Sequence, residues 1–420
     1  MSIKSGYKQT EIGVIPEDWE LVEIKQLGTV VTGSTPKTAN KEFYENGTRL
    51  WASPSDLGKS KEIKNTSTKL SDLGFEQTRI LPPRSILVTC IGSTIGKIGI
   101  AYEEMSTNQQ INSVVCNEKN NSDFYYYVLD QKKEYIKKLA GTQAVPLLNK
   151  TDFSIIKVIQ PPLEEQKKIA DILSTVDKKI AFVEENINAT EKLKKGLMQK
   201  LLTEGIGHTE FKDSELGRIP ESWEVESLDN FSDITKLAGF EFTEYFDYEA
   251  GGDIIAIRAL NVVNGKLVLN NLQRISSEIS NKLLRSKLYV NDILFTYVGT
   301  LGQVAMIEEN DKYHLAPNVA KITIENQDKV ISKFLLFYLI SNFGQKQIKL
   351  LSTTTSQPAI NMGNIRKIKL PVPQIEEQKQ IAEILSTVDN KLENLKEKKL
   401  FFQELKKGLM QKLLTGEVRV

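Results

Sequence analysis

The stretch LKKGLMQKLLT occurs at residues 193–203 and again, letter for letter, at residues 405–415. The copies extend upstream, because LEEQKKIADILSTVDKKI (Leu163–Ile180) matches IEEQKQIAEILSTVDNKL (Ile375–Leu392) at the same separation. The pattern Ile-Pro-Glu-x-Trp also recurs, once near the start of each copy. The chain is therefore an internal duplication, in which each copy has a divergent module followed by a nearly invariant segment. Two long repeats are too few for a solenoid and favour a pseudo-twofold arrangement.

The nearly invariant segments are predicted to be long helices. Each follows prolines, places two glutamates in its first turn and reaches a glycine, Gly205 or Gly416, where a helix often ends. About forty helical residues span roughly 60 Å. Apolar residues recur with a 4-3 spacing, which indicates a coiled-coil seam with two polar interruptions in each copy. The seam positions are Val176, Ile180, Val183, Ile187, Thr190, Lys194, Leu197 and Leu201 in the first copy, and Val388, Leu392, Leu395, Lys399, Phe402, Lys406, Leu409 and Leu413 in the second.

Two arrangements of these helices fit the pattern. They could pair antiparallel and hold the modules apart, or each could be buried in its own domain; their matching seams and ends favour pairing. Gly196 and Gly408 lie in the middle of the predicted helices, where glycine costs about 1 kcal/mol relative to alanine. We expect a compensating close backbone approach at both glycines, either by the other helix or by another subunit.

Composition sets broad limits on function. A chain of 420 residues, 40% hydrophobic and 26% charged, suits a globular protein of at least two domains. Its net charge of +1 gives no overall basic field, although a basic face can be balanced by acidic residues elsewhere. Two cysteines and two histidines predict neither a disulfide framework nor a zinc cluster, and a reducing, cytoplasmic location is the default. No signal peptide or membrane-spanning segment is predicted.

The divergent modules mix short strand patterns, such as ILVTCIG in the first and ILFTYVG in the second, with short helical patterns. That mixture predicts the α+β class. We expect two pseudo-symmetric α+β domains separated by a long antiparallel two-helix coiled coil. The expected boundaries are residues 1–160 for the first module, 161–204 for its helix, 205–371 for the second module and 372–420 for its helix.

Loops between the predicted strands are rich in small polar, amide and basic side chains. Such side chains suit base edges and phosphates, but they also suit any solvated loop. The candidates for DNA contact are Ser34, Thr35, Lys37, Ser93, Thr94, Lys97, Asn108, Gln109, Gln110, Thr142 and Gln143 in the first module, and Arg258, Asn261, Lys266, Thr300, Gln303, Asn318, Lys321, Thr354, Thr355, Ser356 and Gln357 in the second.

Catalytic motifs are weak in this sequence. The stretch Gly92–Ile98 partly matches a phosphate-binding loop, but it has three residues rather than four between its glycines and no hydroxyl residue after Lys97. Asp56 with Glu62 and Lys64 faintly matches a Mg²⁺-dependent nuclease core, with too short a gap. Neither pattern recurs in the second copy. We therefore predict no catalytic residue and no metal ligand.

The ordered motifs resemble the specificity subunit of type I restriction-modification enzymes. They read PPLEEQKKIADILSTVD and LKKGLMQKLLT, then PQIEEQKQIAEILSTVD and LKKGLMQKLLT, and with the Ile-Pro-Glu-x-Trp pattern they cover nearly the whole chain. The resemblance implies that each module reads one half of a split, asymmetric site on double-stranded DNA. It also implies that the helices fix the spacer and dock two modification and two restriction subunits. It implies no catalysis and no cofactor in this chain, with S-adenosylmethionine, ATP and Mg²⁺ on the partner subunits.

Two other functions stay open on the sequence. One is a single-chain nuclease or nucleotide hydrolase that uses Lys97 or Glu62, and turnover of DNA or ATP by the pure chain would favour it. The other is a coiled-coil scaffold that binds only proteins. A lack of any sequence-specific DNA protection would favour the scaffold.

Overall fold

A computed structural model of the chain describes residues 5–141, 145–353 and 358–420. Within these ranges, strands and short helices form the two divergent modules, and one helix of 39 residues follows each module. This combination confirms the α+β class. No helix in these three ranges is both long enough and apolar enough to cross a membrane.

The chain divides into two compact units. Unit 1 comprises Met1–Glu184 with Glu397–Val420, and unit 2 comprises Glu185–Lys396. Each unit therefore combines one module, the first part of the helix that follows it and the last part of the other long helix. The two units divide within the long helices, whereas the boundaries expected from the sequence separate each module from its helix. Those expected boundaries therefore stay a prediction.

The strands of unit 1 are short. In chain order they are β1 (Tyr7–Thr10), β2 (Gly13–Pro16), β3 (Glu20–Glu23), β4 (Gly28–Thr32), β5 (Arg49–Ala52), β6 (Glu62–Ile63), β7 (Thr68–Leu70), β8 (Ile86–Thr89), β9 (Ile98–Ala101), β10 (Ser106–Thr107), β11 (Ile111–Cys116) and β12 (Lys157–Gln160). Strands β4-β11-β8-β9-β6 form one sheet in that order, and β10-β5-β7 form another. Two smaller pairs, β1-β2 and β12-β3, complete the unit.

Helices cover one face of the larger sheet in unit 1. The helices of this unit are α1 (Ile24–Leu27), α2 (Asp72–Glu76), α3 (Ser122–Gln131), α4 (Lys133–Leu139), α5 (Lys150–Ser154) and α6 (Leu163–Leu201), of which α2 packs on the smaller sheet instead. Ile86 and Val88 of β8 are buried with the aromatic residues of α3, whereas Leu87 between them is buried with Leu50 of β5. Because successive strand side chains point to opposite faces, the sheet lies between α3 and the smaller sheet.

Unit 2 repeats this plan with different side chains. Its strands are β13 (Phe211–Ser214), β14 (Gly217–Pro220), β15 (Glu224–Ser227), β16 (Ser232–Lys236), β17 (Ile254–Ile257), β18 (Val262–Val263), β19 (Lys266–Leu267), β20 (Gln273–Ile275), β21 (Ile293–Thr296), β22 (Val304–Met306), β23 (Tyr313–Leu315), β24 (Val319–Ile324) and β25 (Lys369–Val372). The main sheet has the order β16-β24-β21-β22, which matches β4-β11-β8-β9 of unit 1. The second sheet, β20-β17-β23, matches β7-β5-β10.

The helices of unit 2 follow the order of unit 1 except for the first, because α7 follows β16 whereas α1 precedes the matching strand β4. They are α7 (Gly239–Tyr245), α8 (Ser277–Lys282), α9 (Ser332–Ile340), α10 (Asn342–Leu351), α11 (Met362–Arg366) and α12 (Ile375–Leu413). Ile293 and Phe295 of β21 are buried with α9, and Leu294 between them is buried with the second sheet. The alternation found in β8 thus recurs in β21.

The helices α6 and α12 pair antiparallel within each unit. In unit 1, Asp177 of α6 forms an ion pair with Lys406 of α12 at 2.7 Å. In unit 2, Lys194 of α6 forms the matching pair with Asp389 of α12 at 2.6 Å. Lys194 and Lys406 are polar interruptions of the apolar seam, so each interruption is occupied by a cross-helix ion pair. The same pair is used twice because the two helices carry the same repeat in opposite directions.

Burial along the long helices follows the 4-3 spacing. In α6, Val176, Val183, Ile187, Thr190 and Leu201 are buried, and the other seam positions Ile180, Lys194 and Leu197 are half-buried. In α12, Leu413 is buried, and the other seam positions are half-buried. These are Val388, Leu392, Leu395, Lys399, Phe402, Lys406 and Leu409.

The expected close approach of the other helix at Gly196 and Gly408 is wrong. Both glycines are exposed, and a side-chain carbon at either position would meet no described atom within 4 Å. The glycines lie outside the seam, because the apolar residues that face the other helix are at neighbouring positions such as Leu197 and Leu409. A close approach by another subunit stays a prediction. The helices also end earlier than predicted, since α6 stops at Leu201, before Gly205.

Candidate nucleic-acid interface

Four polar loops of unit 1 meet at the end of β8. We name them the first loop cluster: residues 32–37, 90–97, 107–110 and 145–148. The amide of Cys90 donates to the carbonyl of Gln110 at 2.8 Å, and the amide of Leu148 donates to the carbonyl of Cys90 at 2.8 Å. The amide of Gly92 donates to the carbonyl of Pro146 at 2.9 Å. Three backbone hydrogen bonds therefore fasten three of these loops to one another.

The same three hydrogen bonds occur in unit 2. The second loop cluster comprises residues 297–303, 317–318 and 358–360. Tyr297 donates its amide to the carbonyl of Asn318 at 3.1 Å, and its carbonyl accepts from Ile360 at 3.0 Å. The amide of Gly299 donates to Pro358 at 3.2 Å. The two modules thus hold different loop sequences on one backbone framework.

Glycine is required where each framework turns away from the sheet. Gly92 has a φ of +92° and Gly299 a φ of +83°. Both values lie in the left-handed region, which residues with a Cβ atom occupy at a steric cost. The repeated glycine is therefore explained by the turn that follows β8 and β21.

The loop 32–37 is fixed against loop 107–110. The hydroxyl of Thr35 donates to Oε1 of Gln109. A side-chain carbon at Gly33 would lie 2.1 Å from the carbonyl oxygen of Asn108, so only glycine permits this approach. Arg79, which sequence reasoning missed, donates from its amide to Oγ of Ser34 at 3.1 Å. Its role depends on a contact between residues distant in sequence, so no local pattern indicated it.

Most described candidates have side chains that solvent reaches. The exposed candidates are Thr35, Lys37, Ser93, Gln109, Lys266, Thr300 and Asn318, and the half-buried ones are Ser34, Thr94, Lys97, Gln110, Arg258 and Gln303. Three of these are held by unit 2 itself. Arg258 donates to the carbonyl of Asn271, Lys266 pairs with Glu393 of α12, and Oε1 of Gln303 accepts from the amide of Asn264 at 3.0 Å. The predicted residues Thr142, Gln143, Thr354, Thr355, Ser356 and Gln357 lie outside the described residues.

Three predicted contact residues are turned inward, which corrects their assignment. Asn108 is 8% exposed, and both ends of its amide bond to Gln110. Asn261 is fully buried, and its Nδ2 donates to two backbone carbonyls of its own loop. Lys321 is 8% exposed and donates to the carbonyl of Lys287 at 3.0 Å. These side chains shape the loops from inside, because buried polar groups require such partners.

Lysines border both clusters. A side-chain carbon at Gly96 would lie 3.5 Å from Cε of Lys137, so α4 places its basic face beside the first cluster. In unit 2 the Nζ of Lys236 lies 5.4 Å from the ring of Tyr297. Exposed amides and hydroxyls beside lysines can contact base edges and phosphates at once.

The weak catalytic patterns have structural explanations. The amides of Ile95 and Lys97 donate to carbonyls of the same turn, and that of Gly96 donates to Thr89 at the end of β8, so they are not directed towards a phosphate. Asp56 accepts hydrogen bonds from Ser53 and Ser67, which fix its own loop. Across residues 5–141, 145–353 and 358–420, no group of three or more His, Cys, Asp or Glu side chains could hold a metal ion.

His314 is a buried structural residue. It is fully buried, and its ring nitrogens lie 2.8 Å from the carbonyl of Leu315 and 3.2 Å from that of Leu283. Burial lowers its pKa, against the opposing effect of these two carbonyls.

Comparison with known proteins shows which family shares this architecture. The type I restriction modification DNA specificity domain matches residues 16–192 and again residues 220–400. The MjaVIII specificity subunit of Methanocaldococcus jannaschii is 30% identical over 97% of this chain and 94% of its own length. The putative MjaX specificity subunit of the same organism is 32% identical over 99% of this chain and 97% of its own length.

Solved structures show the same fold at low sequence identity. The S subunit of a type I restriction-modification system from M. genitalium superposes with a TM-score of 0.61 at 16% identity and covers 98% of both chains. A chain from a type I R-M system studied for complex assembly gives a TM-score of 0.55 at 15% identity over 96% of this chain. The domain match covers both copies of the duplication, and two curated relatives match over nearly their whole length. The chain belongs to the type I restriction-modification specificity subunits, the non-catalytic DNA-recognition subunits of these enzymes.

Proposed function

We propose that this chain reads a split, asymmetric site on double-stranded DNA, with one half-site for each loop cluster. The observation that carries the proposal is the pair of equivalent backbone frameworks with different side chains. The amide of Gly92 or Gly299 anchors each framework, while the side chains displayed beside it differ. A fixed backbone with exchangeable side chains is what two readers of different base sequences need.

The displayed side chains are suited to base recognition. The first cluster exposes Thr35, Gln109 and Ser93, and the second exposes Thr300 and Asn318. Hydroxyl and amide groups can both donate and accept, so they can distinguish base pairs in the major groove. Because the two sets differ in the number, position and length of these side chains, the two half-sites would differ in sequence.

The paired helices would scaffold the partner subunits. Leu193 of α6 is 51% exposed and Leu405 of α12 is 38% exposed, and each lies one turn before an uncovered glycine, Gly196 or Gly408. An apolar side chain beside a glycine allows another helix to approach closely. Since the same surface occurs twice, it would receive two copies of one partner, the modification subunit.

The chemistry of the complex would belong to its partners. In this proposal two modification subunits carry S-adenosylmethionine, and two restriction subunits use ATP and Mg²⁺. The chain itself contributes the DNA address and the docking surfaces.

The test is to co-express the chain with its modification subunit and map methylated adenines across a genome. A split motif with two unlike halves supports the proposal. Exchanging residues 1–160 with those of a relative should then change one half and leave the other intact. A continuous motif, or loss of both halves on exchange, would contradict it.

A further inference from the structure

Unit 1 contains an open cleft of about 1480 Å³ between its module and the long helices. Ser93, Thr94 and Lys97 of the first loop cluster form part of one wall. Residues of α6, among them Ser174 and Lys178, form part of another. The cleft is therefore continuous with the loop cluster and reaches the helix that follows the first module.

The floor of the cleft ties the module to both helices. Lys61 of the module donates from Nζ to Oγ of Ser174 on α6 at 2.8 Å. Tyr127 of α3 donates its hydroxyl to Asp177 at 2.6 Å, and Asp177 pairs with Lys406 of α12. The walls on the two sides are thus held together by polar bonds.

Most acidic side chains of the cleft are neutralised by partners within unit 1. Asp123 lies 2.9 Å from Nζ of Lys61. Burial alone would raise the pKa of Asp123, but the bonds and charges of Lys61 and Arg84 outweigh it and hold the pKa below its ordinary value. The other acidic pairs are Glu62 with Lys64 and Arg84, Asp130 with Lys133, Asp177 with Lys406, and Glu184 with Lys399.

Three lysines of the cleft have no acidic partner among the described residues. Lys59 and Lys178 are exposed, and Lys97 is half-buried beside Gly58. Two acids of the lining also have no cation partner among the described residues, but Asp56 is buried and bonded to its own loop, so Asp171 is the exposed carboxylate that stands against these three lysines. Unpaired lysines along an open cleft attract a chain of phosphates.

We propose that this cleft binds the phosphodiester backbone of the DNA beside the first half-site, with Lys178 as the contact supplied by α6 itself. The inference rests on the proposed function and deepens it. An open cleft of this size admits the edge of one backbone strand while the loop cluster contacts the bases. The long helix then acts as a DNA-binding element in addition to a spacer.

The second copy does not repeat the contact. The residue of α12 that matches Lys178 in the repeat is Asn390, which is uncharged and exposed. The backbone contact would therefore strengthen binding beside one half-site only.

The test is equilibrium DNA binding by the full chain in complex with its modification subunit. The variants are Lys178→Gln and the double variant Lys59→Gln with Lys178→Gln. The matched control is Lys195→Gln, which changes an exposed lysine of the same helix outside the cleft. Each is titrated with a duplex that carries the mapped site and with a scrambled duplex, over a range of salt concentrations.

A lost phosphate contact weakens both duplexes alike and makes the plot of log K against log salt shallower by about 0.9 per contact. We expect that shift once for Lys178→Gln, about twice for the double variant and not for the control. Unchanged slopes in a complex that still prefers the mapped duplex would overturn this inference alone. A loss confined to the mapped duplex would also overturn it, because it would indicate base reading. No preference by the unaltered complex would overturn the proposed function, and this inference with it.

Discussion

Arg419, the second-to-last residue, forms two hydrogen bonds with Glu165 in the first turn of α6, at 2.6 Å from Nε and 2.8 Å from Nη2. Glu165 also accepts from the indole of Trp19 at 2.9 Å. In unit 2 the matching glutamate, Glu377, accepts from Trp223 at 3.0 Å and lies 2.9 Å from Nε2 of His208. In each unit, a glutamate in the first turn of one long helix thus bonds to a residue that follows the other long helix. Arg419 follows α12 in unit 1, and His208 follows α6 in unit 2.

Replacing Arg419 with alanine should destabilise unit 1. The carboxylate of Glu165 is 6% exposed and would keep only the indole as partner, so we expect a loss of about 2 kcal/mol. Chemical unfolding of the purified chain measures it. Arg285→Ala, which removes an exposed arginine, is the control and should change little. Equal stability of both variants would show that the contact between Arg419 and Glu165 contributes nothing to the stability of unit 1.

The seam ion pair of Lys194 and Asp389 should show energetic coupling. Their side chains are 21% and 25% exposed, so removing one partner leaves a partly buried charge without its counter-ion. We expect Lys194→Met and Asp389→Leu to cost about 1 kcal/mol each. The double variant should cost less than the sum, because both charges are then gone. Additive losses in a double-mutant cycle would mean that the two residues do not interact.

Lengthening both helices should lengthen the DNA spacer. The insertion sites are after Asn188 in α6 and after Lys396 in α12, which pairs with Glu191 at 3.5 Å. A heptad adds about 10 Å to each helix, so the spacer should grow by about three base pairs. Mapping of methylated adenines reads the result directly. A changed half-site with the same spacer would contradict the expectation that the helices fix the length of the spacer.

Acid should lower the stability of unit 1 by protonating Asp123, which pairs with Lys61 and Arg84 in the cleft. Its folded-state pKa lies below the ordinary value of 3.8, so the carboxylate contributes stability above that value and loses it as pH falls further. The stability difference between the unaltered chain and Asp123→Asn should be constant near neutral pH and shrink below about pH 4. Unfolding measured across pH tests this. A difference that does not depend on pH would exclude an ionic contribution.

Replacing Gly196 and Gly408 with leucine should separate folding from assembly. Both glycines are exposed with no described neighbour, so leucine should stabilise each helix by up to about 1 kcal/mol. The same side chains should block a close approach by a modification subunit. Thermal unfolding of the chain and sedimentation of the complex give the two readouts. Lys195→Leu is the control, and intact assembly of the double glycine variant would rule out the close approach.

The long helices could be predicted because their signals are local. Apolar residues such as Val183 and Ile187 recur at the period of a helix, and that period follows from backbone geometry alone. The duplication was visible for the same reason, since matching peptides can be compared without a structure. The α+β class followed from the mixture of strand and helix patterns.

The contact residues could be predicted only in part. Thr35 and Asn108 both looked like polar loop residues, yet one is exposed and the other supports the loop from inside. The direction of a polar side chain depends on partners that distant segments bring near it, as Arg79 does for Ser34. The local composition of a loop is the same whether its polar side chains are exposed or turned inward, so composition alone does not distinguish them.

The sequence determined the repeat, the two helices and their seam, because each depends on residues within a few turns of one another. Tertiary structure decided which faces stay uncovered and which charges are paired. Gly196 was conspicuous in the sequence, but only the packed chain shows that no other described residue approaches that face within 4 Å. The bond between Arg419 and Glu165 joins residues that are 254 positions apart in the chain, and no local pattern encodes such a contact. Chain packing brings them together, because the two helices run antiparallel and the last residues return to the first turn.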